Sequence, residues 1–330
     1  MQYRRFGELD WKGSALGFGC MRLPTENGNE EIAEAEATEM LRYAIDHGVN
    51  YIDTAYPYHG GNSEPFVGRA LRDGYRDKVR LATKLPSWKI EEREDFDRYL
   101  DEQLERLQTE HIDFYLLHAL KESSWHKLRD LSVFDWAERA IEDGRIGHLG
   151  FSFHDDYEVF KEIVDAYDWT FCQIQYNYMD IDNQAGTKGL KYAASQGLAV
   201  VIMEPLLGGK LVDPPESVQE IWDQAPTTRS PADWALQWVW HQPEVSVVLS
   251  GMSTMDHVVE NVASADRSSV GILTEEELSV IDQVREKYEE LCPIPCTQCG
   301  YCMPCPNEVD IPRNFDVYNQ LAMYDADEWA

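Results

Sequence analysis

Three apolar segments of this chain end in residues that can move or hold a proton. Val49 to Ile52 runs into Asp53, and Tyr58 follows across a Thr-Ala-Tyr-Pro step. Val79 to Thr83 runs into Lys84, and Ile112 to Leu117 runs into His118. A tyrosine with an ordinary pKa of about 10 is a weak acid at neutral pH. A neighbouring cation favours its phenolate. Lys84 could supply that cation, and Asp53 could keep Lys84 charged and oriented. His118 could donate a hydrogen bond to a substrate oxygen. The four groups together suit proton delivery to an oxygen that gains negative charge, as when hydride reduces a carbonyl. On spacing alone, an ordinary buried ion pair beside a packed aromatic accounts for Asp53, Lys84 and Tyr58 equally well.

These side chains meet only if the segments carrying them are neighbouring parallel strands. Core strands are expected near residues 16, 51, 80, 114, 148, 172, 200 and 247, each followed by an amphipathic helix. Continuous apolar strands alternating with helices imply a parallel sheet covered by helices. Eight such units have the size of a closed α/β (β/α)8 TIM barrel, with catalytic groups at the C-terminal strand ends. An open doubly wound sheet is the alternative, but no Gly-x-Gly-x-x-Gly follows the first strand. A small hairpin over residues 3–15 precedes the barrel, turning at Gly7-Glu8-Leu9-Asp10. Helices are expected over 31–47, 64–73, 94–108, 132–143, 156–167 and 187–196. A loop is expected from Pro205 to about Thr228. Ser230-Pro231-Ala232-Asp233 and Thr274-Glu275-Glu276-Glu277 read as helix starts. The expected domains are residues 1–273, the barrel, and 274–330, a helical C-terminal extension.

Charge bounds the partners. The chain has 330 residues, with 29 Lys plus Arg against 60 Asp plus Glu, a net charge of −31. That argues against nucleic acid and anionic membrane surfaces as partners. The acids are spread along the chain rather than blocked, which favours solubility over a dedicated docking face. No apolar run approaches the ~20 residues of a membrane span. Met-Gln-Tyr-Arg-Arg-Phe-Gly at the start has no apolar signal region, so the expected location is the cytoplasm.

The cysteines divide into two sets. Cys20 and Cys172 lie in apolar runs and read as buried small side chains. Cys292, Cys296, Cys299, Cys302 and Cys305 crowd into 14 residues, and in a cytosolic chain such spacing points to metal rather than disulfides. The bacterial ferredoxin run is C-x2-C-x2-C-x3-C-P. Here the first three cysteines keep that spacing and Pro306 closes it, with a last gap of two residues. One 4Fe-4S cluster on Cys296, Cys299, Cys302 and Cys305 is expected, with Cys292 as the reserve ligand. A zinc ion held by four thiolates is the alternative.

With these residues in hand, the chain resembles an aldo/keto reductase. The resemblance rests on Asp53-Thr-Ala with Tyr58, Ser63-Glu64, Gly68-Arg-Ala-Leu, Lys84 after Ala-Thr, His118 after Leu-Leu, Gly150-Phe-Ser152, Gln173 and Glu260-Asn261. It implies a tetrad of Asp53, Tyr58, Lys84 and His118. Tyr58 would be the general acid, its pKa lowered by Lys84, and His118 would orient the carbonyl. It further implies a nicotinamide cofactor, usually NADPH, lying across the barrel mouth without a Rossmann fold. Ser152 and Gln173 match positions that hold the carboxamide, and Glu260 and Asn261 match the pair that contacts adenine. Met203-Glu204-Pro205-Leu206 stands where many members have a stacking tyrosine, so Met203 would pack on the ring with Leu206 nearby. Gly251 and Ser253 belong to the stretch Ser250–His257, which has no Lys or Arg to meet a 2′-phosphate. The cofactor is therefore left as NADP(H) or NAD(H), with Ser253, His257 and Arg267 as weak substitutes for that cation. Gly208-Gly209-Lys210 would cover the pyrophosphate. The cysteine tail, with Asp310-Ile-Pro after it, resembles the ferredoxin-type extension of one branch of the family.

Two functions follow from the resemblance. One is reduction of a small-molecule carbonyl substrate by hydride from the nicotinamide cofactor, with the 4Fe-4S cluster in a structural role first, or in electron transfer or redox sensing. The other is a redox-regulatory or electron-transfer protein with little turnover, served by an external electron carrier. Trp88, His59, Tyr178, Phe151 and Phe153 could line an aromatic substrate pocket or simply pack in the core.

Overall fold

Gly7 makes the first turn possible. Its φ is +54°, and a Cβ there would lie 2.7 Å from the Gly197 carbonyl oxygen, so the turn needs glycine for both conformation and close approach. The turn joins β1 (Tyr3–Arg5) to β2 (Lys12–Ser14), which pair antiparallel. It also carries Phe6 and Trp11 against the bottom of the barrel. The structure, a computed structural model, describes residues 1–26, 31–296 and 302–324.

The barrel strands are β3 (Leu16–Gly19), β4 (Tyr51–Asp53), β5 (Arg80–Leu85), β6 (Ile112–Leu120), β7 (Ile146–Phe153), β8 (Phe171–Gln175), β9 (Ala199–Met203) and β10 (Val245–Ser250). They close in the order β10-β3-β4-β5-β6-β7-β8-β9. Closure runs through the parallel pairing of β10 with β3, Val248 opposite Leu16, which removes the open-sheet alternative. An inner core of Phe6, Tyr51, Phe114, Leu116, Phe171 and Val247 fills the barrel toward the hairpin. A larger apolar layer lies between strands and helices. Both strand faces are therefore buried, which is why the sequence shows continuous rather than alternating apolar runs.

The helices are α1 (Glu34–Asp46), α2 (Ser63–Ala70), α3 (Glu94–Leu107), α4 (Glu122–Asp130), α5 (Val133–Glu142), α6 (Tyr157–Asp165), α7 (Gly186–Ser195), α8 (Glu216–Trp222), α9 (Pro231–His241), α10 (Met255–Asp266), α11 (Glu275–Glu290) and α12 (Ile311–Tyr324). The two start signals hold. Ser230 accepts from the Asp233 amide at 3.0 Å. Thr274 and Glu277 form a reciprocal capping box at 3.2 and 2.9 Å.

Three expectations need correction. The first helix begins at Glu34, not at residue 31, because Ile32 bridges Thr25 and the Ala33 amide donates to Pro24. The expected loop from Pro205 to Thr228 contains α8, which buries only Val218 and Trp222. An unexpected helix, α4, follows β6 and likewise buries only Trp125 and Leu128. With two apolar anchors each, neither helix shows a readable periodicity. No helix among the described residues is long and apolar enough to cross a membrane.

Candidate active site

Strand direction brings the proton-handling groups together. Asp53 is the last residue of β4, Lys84 lies near the end of β5, and His118 lies near the end of β6. All three strands point the same way, so their ends form one arc of the barrel rim. Tyr58 enters from the turn after β4. The Lys84 ammonium donates to Asp53 Oδ1 at 2.7 Å, to the Thr54 carbonyl at 2.8 Å and to the Tyr58 hydroxyl at 3.3 Å. Its three donors are thereby used. Lys84 is 1 % exposed and Asp53 2 %, so the pair is out of water. The His118 ring stands edge-on to the Tyr58 ring at 6.2 Å, and Trp88 lies 5.2 Å from it on another side. Trp88 is one of the exposed large side chains.

A second ring of residues holds this arrangement. The buried Glu64 carboxylate accepts from Thr83 Oγ1 at 2.7 Å and from Gln103 Nε2 at 2.5 Å. Gln103 also donates to the Lys84 carbonyl at 3.1 Å and accepts from Tyr115 at 2.6 Å. Ser63 bonds Thr54 Oγ1 at 2.8 Å and donates to the Cys20 carbonyl at 3.2 Å. The backbone on both sides of Lys84 is thus pinned. The Ser63-Glu64 pair, noted in the sequence as a motif, is a positioning pair. Gln103 was not anticipated; its only sequence signal is its place on the apolar stripe of α3, beside Tyr99, Leu100 and Leu107.

Burial raises the Asp53 carboxyl above its ordinary range, against the pull of Lys84. Burial disfavours the Lys84 ammonium, yet Asp53 and Tyr58 outweigh it and leave Lys84 raised. His118 is pushed well below its ordinary value by burial and then by the Lys84 charge, so its imidazole is neutral near pH 7. Tyr58 departs from expectation. Lys84 does lower its pKa, but burial raises it by more, and the phenol sits above its ordinary value. At neutral pH Tyr58 therefore carries its proton, the state a general acid requires.

The cofactor residues fall into two places. Ser152 and Gln173 are register partners on β7 and β8, both buried at the rim. Ser152 Oγ accepts from the Ala119 amide at 2.7 Å. Leu206, Gly251, Ser253, Glu260 and Asn261 line one cavity of about 290 Å³ between the ends of β9 and β10 and the start of α10. Asn261 donates to Ser250 at 3.0 Å, and Ser230 donates to Glu260. Met203 ends β9, half-buried, and does not line this cavity. Lys210, expected over a pyrophosphate, turns instead to α12, where it donates to Gln320. Arg22 also lines the cavity. The sequence reading missed it, although it lies three residues past the end of β3 and hence at the same rim.

Three polar atoms near the rim are buried without a hydrogen-bond partner among the described residues: Asp53 Oδ2, His118 Nδ1 and Gln173 Oε1. Buried polar atoms are rarely left so, and unpaired ones at a site mark where a ligand would bond. The open cavity at the ends of β9 and β10, lined by Asn261, Ser253 and three glycines, fits the far half of an extended dinucleotide.

The aromatic candidates divide as well. Phe151 and Phe153 pack on Phe160, and Tyr178 is buried against Trp222 and Trp238; all three belong to the core. His59 Nε2 accepts from the Leu23 amide at 3.3 Å. Trp88 alone of the five is both exposed and against the tetrad.

Cys20 and Cys172 are fully buried, and burial raises both thiols. In the tail, Cys299 lies outside the described residues. Among the described ones, no group of three or more His, Cys, Asp or Glu converges to hold a metal. Cys305 Sγ accepts from the Asn307 amide at 3.4 Å, whereas the Cys292 thiol points to the Ile294 carbonyl at 3.6 Å.

A family model for the aldo/keto reductase family matches residues 15–286. The chain belongs to this family, and it is an oxidoreductase. The curated L-galactose dehydrogenase of Arabidopsis thaliana is 28% identical over 322 residues, spanning 88% of this chain and 96% of that protein. Among solved structures, an aldo-keto reductase from Bacillus halodurans in its holo form superposes with a TM-score of 0.72 at 27% identity, covering 86% of this chain and 96% of the other. An aldo-keto reductase from Klebsiella pneumoniae in complex with NADPH gives 0.71 at 27% identity, covering 86% and 95%.

Proposed function

We propose that the chain reduces a small aldehyde or ketone to an alcohol with a nicotinamide dinucleotide held across the barrel mouth. The observation that carries this is the buried Lys84 ammonium shared between Asp53 and the Tyr58 hydroxyl, beside unpartnered rim atoms and an adjoining cavity. The reduced nicotinamide supplies the hydride. Gln173 and Ser152 would hold its carboxamide, and Asn261 and Glu260 its adenine. Tyr58 donates its proton to the carbonyl oxygen as negative charge develops there. Lys84 stabilises the phenolate left behind, and Asp53 keeps the ammonium aimed. Neutral His118 donates a hydrogen bond to the same oxygen and orients it. Trp88 screens the substrate side from water.

The extension, residues 274–330, is read as a unit carrying one 4Fe-4S cluster on Cys296, Cys299, Cys302 and Cys305. Thiolates are the donors such a cluster takes, and the amide bond to Cys305 Sγ favours Cys305 over Cys292. A cluster there supplies one-electron chemistry or a cross-link. The cross-link is favoured by placement: α12, after the cysteines, packs Tyr324 on Tyr288 of α11 at 5.1 Å and reaches Lys210 beside the cavity.

The test is tryptophan fluorescence of anaerobically purified protein, titrated separately with NADPH and NADH. Saturable quenching, with turnover of simple aldehydes, is expected. Quenching without turnover of any carbonyl would instead favour the regulatory or electron-transfer reading. No quenching by either dinucleotide would overturn the cofactor assignment.

A further inference from the structure

Arg22 lines the cavity between two of its loops. Its methylene stem lies along Gly251, where a Cβ would come within 3.2 Å of Arg22 Cβ, Cγ and Cδ. Its guanidinium reaches Gly208 on the opposite wall, where a Cβ would lie 3.3 Å from Nη2 and 3.4 Å from Glu204 Oε2. The side chain thus bridges the loop after β10 and the loop after β9. Any side chain at Gly208 or Gly251 would crowd it. Among the described residues, Arg22 is the sole arginine or lysine lining the cavity, against the carboxylates of Glu204, Asp213 and Glu260.

We propose that Arg22 binds the diphosphate of the dinucleotide and that this site prefers NADH to NADPH. The inference rests on the dinucleotide reading above. In that reading the nicotinamide end lies at Ser152 and Gln173, and the adenine end lies at Glu260 and Asn261. The Arg22 guanidinium reaches Gly208 in the loop after β9, and β9 lies between β8, which carries Gln173, and β10, which leads into α10, so that loop is where the diphosphate between the two ends would lie. A guanidinium pairs with phosphate oxygens through two parallel bonds, and here it also offsets the Glu204 carboxylate beside it. Committed to the diphosphate, Arg22 leaves the adenine end to Ser253, His257 and Glu260. A 2′-phosphate there would meet the Glu260 carboxylate with no second arginine or lysine among the described residues of the cavity wall to receive it.

The test measures dissociation constants of NADH, NADPH, ADP and adenosine for the full chain and for Arg22→Gln and Arg22→Lys. Wild type should bind NADH more tightly than NADPH. Arg22→Gln should weaken NADH, NADPH and ADP alike, by about tenfold or more, as expected for losing a hydrogen bond to a charged group. Adenosine, which lacks phosphate, should bind wild type and Arg22→Gln equally, which shows that the variant keeps its adenine site and its fold. Arg22→Lys should fall between the two. A loss confined to NADPH would place Arg22 at the 2′-phosphate and overturn the proposal. Unchanged ADP affinity would overturn it while leaving the dinucleotide reading intact. Wild type that binds neither dinucleotide would overturn the reading itself, and the proposal with it.

Discussion

At the scale of single residues the site works by setting one group against another. In the proposed reaction Tyr58 is the acid, and burial keeps it protonated. Tyr58→Phe should lower turnover by about 10²–10⁴-fold, the usual range for one general acid, while dinucleotide quenching is unchanged. Equal turnover in the variant would remove Tyr58 from the mechanism. The pH dependence follows from the sign of the shift. Reduction uses the protonated phenol, and its pKa is raised, so the reduction rate should stay level through neutral pH and fall only on the alkaline side. Lys84 is the group that pulls Tyr58 down. Lys84→Met should therefore move the alkaline fall to still higher pH as well as slow the reaction. A fall that moved to lower pH would mean that Lys84 does not act on Tyr58 electrostatically. His118 is held neutral well below its ordinary pKa, so it should add no inflection between pH 6 and 7.

At the scale of elements, what the sequence revealed tracks how much apolar surface each element buries. The eight strands were legible because both faces of each are buried, and the strand ends pointed to Asp53, Lys84 and His118. The helices α4 and α8 were not, since Trp125 with Leu128, and Val218 with Trp222, leave no repeating stripe. Gln103 escaped for the opposite reason: it sits on the apolar stripe of α3, and only the fold shows that it and Glu64, legible in the sequence only as part of a motif, bond the strand carrying Lys84. Arg22 hid in a loop with no motif. The hairpin lies at the far end of the barrel from the chemistry, and Phe6 is its buried anchor, 4.7 Å from Phe114. Phe6→Ala should cost about 3–5 kcal/mol, the range for deleting a buried aromatic, in a denaturant melt. Turnover of the folded fraction should stay unchanged; a lost activity in folded protein would show that the hairpin is coupled to the rim. In the tail, the proposed cluster predicts iron and sulfide by chemical analysis of the wild type; Cys305→Ser should abolish them and Cys292→Ser should keep them. The reverse pattern would make Cys292 the fourth ligand.

At the scale of the whole molecule, charge sets the conditions of the fold. Even if every lysine and arginine were paired with one acid, 60 acids less 29 bases would leave 31 carboxylates without a partner. Individual surface pairs, such as Lys78 with Asp46 at 2.8 Å, both half exposed, contribute little in water. The unpartnered acids repel one another across the surface and oppose the compact state. Salt shortens the reach of that repulsion, from a Debye length of about 30 Å at 0.01 M to about 3 Å at 1 M. The buried pair of Lys84 and Asp53 is screened far less. Raising NaCl over that range should therefore raise the melting temperature. Sodium chloride is the salt for the test because sulfate also strengthens apolar burial and would confound the result. Potassium chloride should match it at equal ionic strength if screening is the cause. A melting temperature that falls with salt would mean that surface ion pairs outweigh the excess of carboxylates, and the net charge would then be irrelevant to stability.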